Sequence, residues 1–129
     1  MTRLWTILGV ADVARSTLWY QRLLGAPEHP PAHHYFGQVT DDHGNVLVCL
    51  HSWGDHDHPS LASQHAAIPG NGLLLFFRLD DFANALARAR ELVQALELEP
   101  SMNPSTGTME FALRDPDGYC VMISAEHAA

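Results

Sequence analysis

The chain contains no lysine. Its seven basic residues are all arginines, scattered among fifteen acidic ones, and the net charge is -8 over 129 residues. No basic stripe exists to follow a phosphate backbone, which excludes nucleic acid as an expected partner. Cysteine is nearly absent. Cys49 and Cys120 both lie inside apolar runs and read as small buried hydrophobes in a reducing compartment, with no disulfide framework. Burial of that kind raises a thiol pKa, so neither cysteine is a candidate nucleophile. No apolar run approaches the roughly 20 residues that cross a bilayer, so no membrane association is expected. The start, Met1-Thr2-Arg3-Leu4-Trp5, enters a strand-like pattern without the profile of a signal peptide, and the expected location is cytoplasmic. A Gly-x-Ser-x-Gly elbow and a phosphate-cradling glycine loop are both missing.

What is present is a repeated turn. Asp115-Pro116-Asp117-Gly118-Tyr119 runs into Cys120-Val121-Met122-Ile123, and a weaker copy, Asp42-His43-Gly44-Asn45, runs into Val46-Leu47-Val48. Superposing Gly118 on Gly44 places Met122 over Val48, which suggests a duplicated unit. Apolar β-type runs are expected at 4–10, 35–40, 46–51, 73–79, 98–102, 109–113 and 119–124. One helix is expected after Asp12, with Val13, Thr17, Tyr20 and Leu24 at helical spacing and Gly25 as its stop. A second follows Asp80 or Asp81, with a stripe at Phe82, Leu86, Ala89, Val93 and Leu96. The polar, Pro- and Gly-rich stretch between them is the natural linker. The expected organisation is one domain over 1–129, with module one at about 1–53, a linker at about 54–70 and module two at about 71–129. The fold class is α+β, with helices packed on one side of a curved sheet.

Several of these residues carry a resemblance. Val10-Ala11-Asp12, Ser16 with Trp19-Tyr20, Leu23-Leu24-Gly25, and Asp115-Pro116-Asp117-Gly118-Tyr119 make the chain similar to the vicinal oxygen chelate superfamily of glyoxalases, extradiol dioxygenases and bleomycin-resistance proteins. The resemblance covers nearly the whole chain. It implies two βαβββ modules in a pseudo-twofold arrangement whose sheets curl around a central cup, and a homodimer. In that family the cup holds a divalent metal or an organic molecule. The four metal-ligand positions that the resemblance implies fall on Trp5, Val48, Leu74 and Met122. Divalent transition ions take imidazole, thiolate or carboxylate donors, which none of these side chains supplies. A shift of one residue on the second strand would substitute Cys49 and leave three positions without a donor. No metal and no cofactor is expected.

Strand alternation then groups the cup-facing side chains. They are Trp5, Ile7 and Gly9; Val46, Val48 and Leu50; Leu74, Phe76 and Arg78; and Cys120, Met122 and Ser124. Leu4, Leu8, Val10, Leu73, Leu75, Phe77, Val121 and Ile123 should pack against the helices. The expected ligand-binding set is Trp5, Ile7, Val48, Leu50, Leu74, Phe76, Arg78, Cys120 and Met122. This apolar, aromatic lining with one cation at its rim suits a small, flat organic molecule bearing a polar or anionic group. The competing reading is a filled core with Arg78 salt-bridged to a carboxylate. His51, Asp55, His56, Asp57 and His58 form the densest histidine cluster, read as an exposed loop with His51 on the helix-facing side. The same segment could instead bring His51 or His58 to a ligand as acid or base. The leading expectation is a metal-free binder of a small organic molecule. A lyase, isomerase or oxygenase using unexpected ligands or acid-base residues, and a structural or regulatory dimer with a vestigial cup, stand as the alternatives.

Overall fold

The computed structural model describes residues 3–54, 61 and 73–127. Seven strands and two helices follow one another as β1 (Ile7–Val10), α1 (Val13–Leu24), β2 (Phe36–Thr40), β3 (Val46–Ser52), β4 (Leu74–Leu79), α2 (Phe82–Leu92), β5 (Leu98–Asn103), β6 (Thr108–Arg114) and β7 (Cys120–Ala125). All seven strands lie where the apolar runs anticipate them. The chain divides into two compact units, Met1–Pro69 and Gly70–Ala129. The expected cluster Asp55, His56, Asp57 and His58, and most of the expected linker, lie outside the described residues.

In the first unit the sheet order is β1-β3-β2, with β1 parallel and β2 antiparallel to β3. Helix α1 starts where Asp12 accepts a hydrogen bond from the Arg15 amide, and it stops where Gly25 turns to φ 65°. That left-handed geometry costs glycine little and other residues more. The buried stripe of α1 includes Val13, Thr17, Tyr20 and Leu24, as the spacing requires, together with Ser16, Trp19, Gln21 and Leu23. Tyr20 and Leu23 are wholly buried, and each such apolar side chain contributes about 1.5–3 kcal/mol. Gly37 of β2 lets the helix sit this close. A Cβ there would collide with the Thr17 hydroxyl and lie 3.1 Å from Pro31 and 3.4 Å from Val13.

In the second unit the order is β4-β7-β6-β5, with β4 parallel to β7 and the other pairs antiparallel. Beneath α2 lie Leu75, Phe111, Leu113, Val121 and Ile123, all buried, and the rings of Phe82 and Phe111 meet edge to face at 5.4 Å. Helix α2 departs from expectation at both ends. The helix ends at Leu92 because Val93 is already extended, at φ -132° and ψ 156°, so the apolar stripe does not run on to Leu96. Asp81 occupies the N-cap position but makes no side-chain capping bond. Leu4 and Leu73, expected against the helices, are exposed instead, because each lies just outside its strand.

The two turns are the same object built twice. Asp41 accepts from the amides of His43 and Asn45 through Oδ1, and Asp115 accepts from those of Asp117 and Tyr119 in the same way. In the main chain, Gly44 donates to the Asp41 carbonyl and Gly118 to the Asp115 carbonyl. The amide of each aspartate closes the loop on the carbonyl of Asn45 or Tyr119. Gly44 and Gly118 adopt φ 82° and 90°.

Candidate functional site

Each sheet has one face under its helix and one face turned away from it, and the outward faces carry the candidate side chains. On the second sheet the expected alternation holds. In-register pairing places Leu74 beside Cys120, Phe76 beside Met122, and Arg78 beside Ser124. It also places Met122 beside Ala112 and Ser124 beside Glu110. Leu74 and Phe76 are 48% and 44% exposed, which is a large apolar offering for a strand that also has a buried face. Among the described residues, no carboxylate forms with Arg78 the salt bridge of the filled-core reading. Its Nη2 donates to the carbonyls of Ala125 at 3.4 Å and Glu126 at 3.1 Å, where β7 ends.

On the first sheet half of the expectation is corrected. Trp5 and Ile7 are 50% and 42% exposed and lie away from α1. Val48 and Leu50 do not share their face. Leu50 pairs with Leu8 and Gly37, and Val48 pairs with Val39, so all five lie on the α1 side, where Val48 and Leu50 are wholly buried. The cause is a bulge. Thr40 pairs with Val46 while Val39 pairs with Val48, so Leu47 is an extra residue that reverses the alternation of everything after it. Cys49 and His51 take the outward positions instead, opposite Ile7 and Gly9 and beside Gln38 and Phe36. His51 is therefore not helix-facing.

Further outward groups lie outside the expected binding set. The Trp53 indole lies over Gly9, where an added Cβ would be 2.7 Å from two ring carbons. The missing side chain at Gly9 is thus the seat of a tryptophan. His51 places Nδ1 at 2.8 Å from the Ser52 carbonyl, so that nitrogen carries a proton and donates it. Tyr35 gathers imidazoles, with His33 stacked at 5.0 Å, His34 edge-on at 5.3 Å and His51 at 6.0 Å. Glu110 is another, a carboxylate inside an apolar strand. It was visible in the sequence as the alternation partner of Ala112.

The resemblance implies a divalent metal, and the donor set does not fit one. With the bulge taken into account, the four positions carry Trp5, Cys49, Leu74 and Met122. Burial pushes the Cys49 thiol up, and its hydrogen bond with Gln38 opposes that only in part; the Met122 thioether is a poor ligand for these ions. Among the described residues, no three His, Cys, Asp or Glu side chains are grouped to hold a metal ion. No helix among them is long and apolar enough to cross a membrane.

Comparison with known proteins places this geometry. Residues 3–123 match the family model described as Glyoxalase/Bleomycin resistance protein/Dioxygenase superfamily. No curated protein matches the chain. Among solved structures, TioX from Micromonospora sp. ML1 is similar with a TM-score of 0.71 and 17% identity, over 98% of this chain and 100% of that one. Lactoylglutathione lyase from Agrobacterium tumefaciens gives 0.67 and 18%, over 97% and 93%. A glyoxalase/bleomycin resistance protein from Catenulispora acidiphila DSM 44928 gives 0.63 and 20%, over 98% and 100%. At these identities the structures establish a shared fold.

Proposed function

Because the chain belongs to the Glyoxalase/Bleomycin resistance protein/Dioxygenase superfamily, we propose that it works as a metal-independent member that binds a small, flat, largely apolar organic molecule against an outward sheet face. One observation carries the reading. The outward faces present exposed Trp5, Ile7, Leu74 and Phe76, and the positions where the resemblance implies ion ligands carry Trp5, Cys49, Leu74 and Met122. Aromatic and aliphatic walls of this kind gain from removing ligand surface from water and from offset or edge-on ring contacts. Trp5 and Ile7 serve on the first sheet, and Leu74, Phe76, Cys120 and Met122 on the second. Val48 and Leu50 are assigned to the core under α1. A lyase activity of the kind named for the Agrobacterium tumefaciens protein is not favoured, since the donors for an ion are missing from these positions. The resemblance also implies a homodimer, which light scattering of the purified protein would test.

The binding reading is tested by titrating the protein with a panel of neutral bicyclic aromatics and measuring heat. Phe76→Ala and Trp5→Ala should each weaken binding by about 1–3 kcal/mol. Unchanged affinity in both variants would move the site off these faces, and no binding by any compound would favour a structural role.

A further inference from the structure

Glu110 is 7% exposed and lies on the outward face of the second sheet. It belongs to a cross-strand row, Arg78, Ser124 and Glu110, that runs from β4 through β7 to β6. The next row along the strands is Phe76, Met122, Ala112 and Leu98. One face therefore changes from apolar to polar within a single side-chain repeat, about 7 Å along a strand. Ala112, 2% exposed, stands in the apolar row directly beside the polar one.

The hydrogen bonds of the polar row have a definite direction. Ser124 spends its hydroxyl proton on the Ala125 carbonyl at 2.9 Å. The Thr108 hydroxyl, 3.2 Å from Ser124 Oγ, must then be the donor in that pair. Thr106, 2.7 Å from Thr108 Oγ1, must in turn donate to Thr108. Arg78 turns its Nη2 to main-chain carbonyls. No hydroxyl proton of this chain of bonds is left for Glu110. Its Oε2 accepts from the Asn103 amide at 3.0 Å, and no donor reaches Oε1 among the described residues. A ligand that lies against this carboxylate must therefore supply a donor to Oε1 or leave it unpaired.

We propose that Glu110 is the specificity-determining acceptor of this face, and that the molecule bound there carries an O–H or N–H donor next to its flat apolar body. The inference rests on the binding reading above. The body lies on Phe76 and Met122, and the donor reaches one row further to Glu110 Oε1. A molecule of the same shape without the donor leaves that oxygen dry and unpaired, so the site rejects it.

The test compares 2-naphthol with 2-methoxynaphthalene by isothermal titration calorimetry. Both carry a ring oxygen that can accept a hydrogen bond, and only the naphthol can donate one. The native protein should bind 2-naphthol about ten- to a hundredfold more tightly, as expected for a hydrogen bond to a charged acceptor. Glu110→Gln keeps an oxygen for Asn103 and presents an amide donor to the ligand, so it should treat the two compounds alike. Should that variant fail to fold by circular dichroism, Glu110→Asp, which keeps the charge but withdraws it by one methylene, must lower the same ratio. Equal binding of the two compounds by the native protein overturns the role of Glu110 and leaves apolar binding standing. A preference that survives in Glu110→Gln or Glu110→Asp also overturns it. Binding of neither compound overturns the underlying reading together with this one.

Discussion

Thr17 shows how a single atom can limit this protein's stability. Its side chain is buried between α1 and β2, and its hydroxyl finds no hydrogen-bond partner among the described residues. The same hydroxyl is what an added Cβ on Gly37 would strike. A buried donor without a partner costs about 1–3 kcal/mol relative to a satisfied one, so Thr17→Val should raise stability by about 1 kcal/mol in urea unfolding. A loss of stability would mean that the hydroxyl has a partner. Gly37 and Gly9 make the complementary point. Each is glycine because a neighbouring side chain occupies the space, Thr17 in one case and Trp53 in the other. The sequence shows the glycines and cannot show what lies against them.

The repeated turn is the element whose energetics the sequence shows best. An aspartate oxygen collecting two main-chain amides replaces water that those amides would otherwise lose. Asp115 does this while 5% exposed, so Asp115→Ala should destabilise the protein by about 1–3 kcal/mol, read from the shift in the urea midpoint. Asp41 makes the same contacts in the open, and its carboxyl is held below the usual aspartate range, first by the Asn45 side chain and then by the Asn45 and His43 amides. A depressed folded-state pKa adds stability above the unfolded aspartate value, and that stability disappears as pH falls through the lower folded value. The stability difference between the native protein and Asp41→Ala should therefore shrink as pH is lowered from about 5 toward about 2. A difference that does not change with pH would show that the charge plays no part. The helices divide in the same way. Asp12 and Gly25 mark both ends of α1 correctly, whereas α2 ends without a glycine signal, and its end depends on how Val93 enters the following segment.

For the whole molecule, the question is whether the chain has kept a place for the ion that the resemblance implies. Protein incubated with Ni²⁺, Zn²⁺, Fe²⁺ or Mn²⁺ and then desalted should retain less than stoichiometric metal. Stoichiometric retention that is lost on changing Cys49 to alanine would overturn the metal-independent reading. Much of the architecture was legible. Period-two apolar runs located all seven strands, and the aspartate-glycine turns gave the duplication. The period-3.6 stripe with Asp12 and Gly25 fixed α1. These are local signals, set by neighbouring residues. On the second sheet the pairing runs without an extra residue from Arg114 beside Cys120 to Glu110 beside Ser124, so alternation alone placed Leu74, Phe76, Arg78 and Met122 on one face. On the first sheet it failed at Val48 and Leu50. An extra residue at Leu47 leaves the sequence pattern of β3 unchanged and shows only in how that strand pairs with β2. Sequence by itself thus determined the elements, the repeat and the scarcity of ion donors. Tertiary structure decided which side of β3 looks outward, and it identified Glu110 as the acceptor its neighbours leave unfilled. Both depend on pairing between strands distant in the chain, and local periodicity carries no record of that pairing.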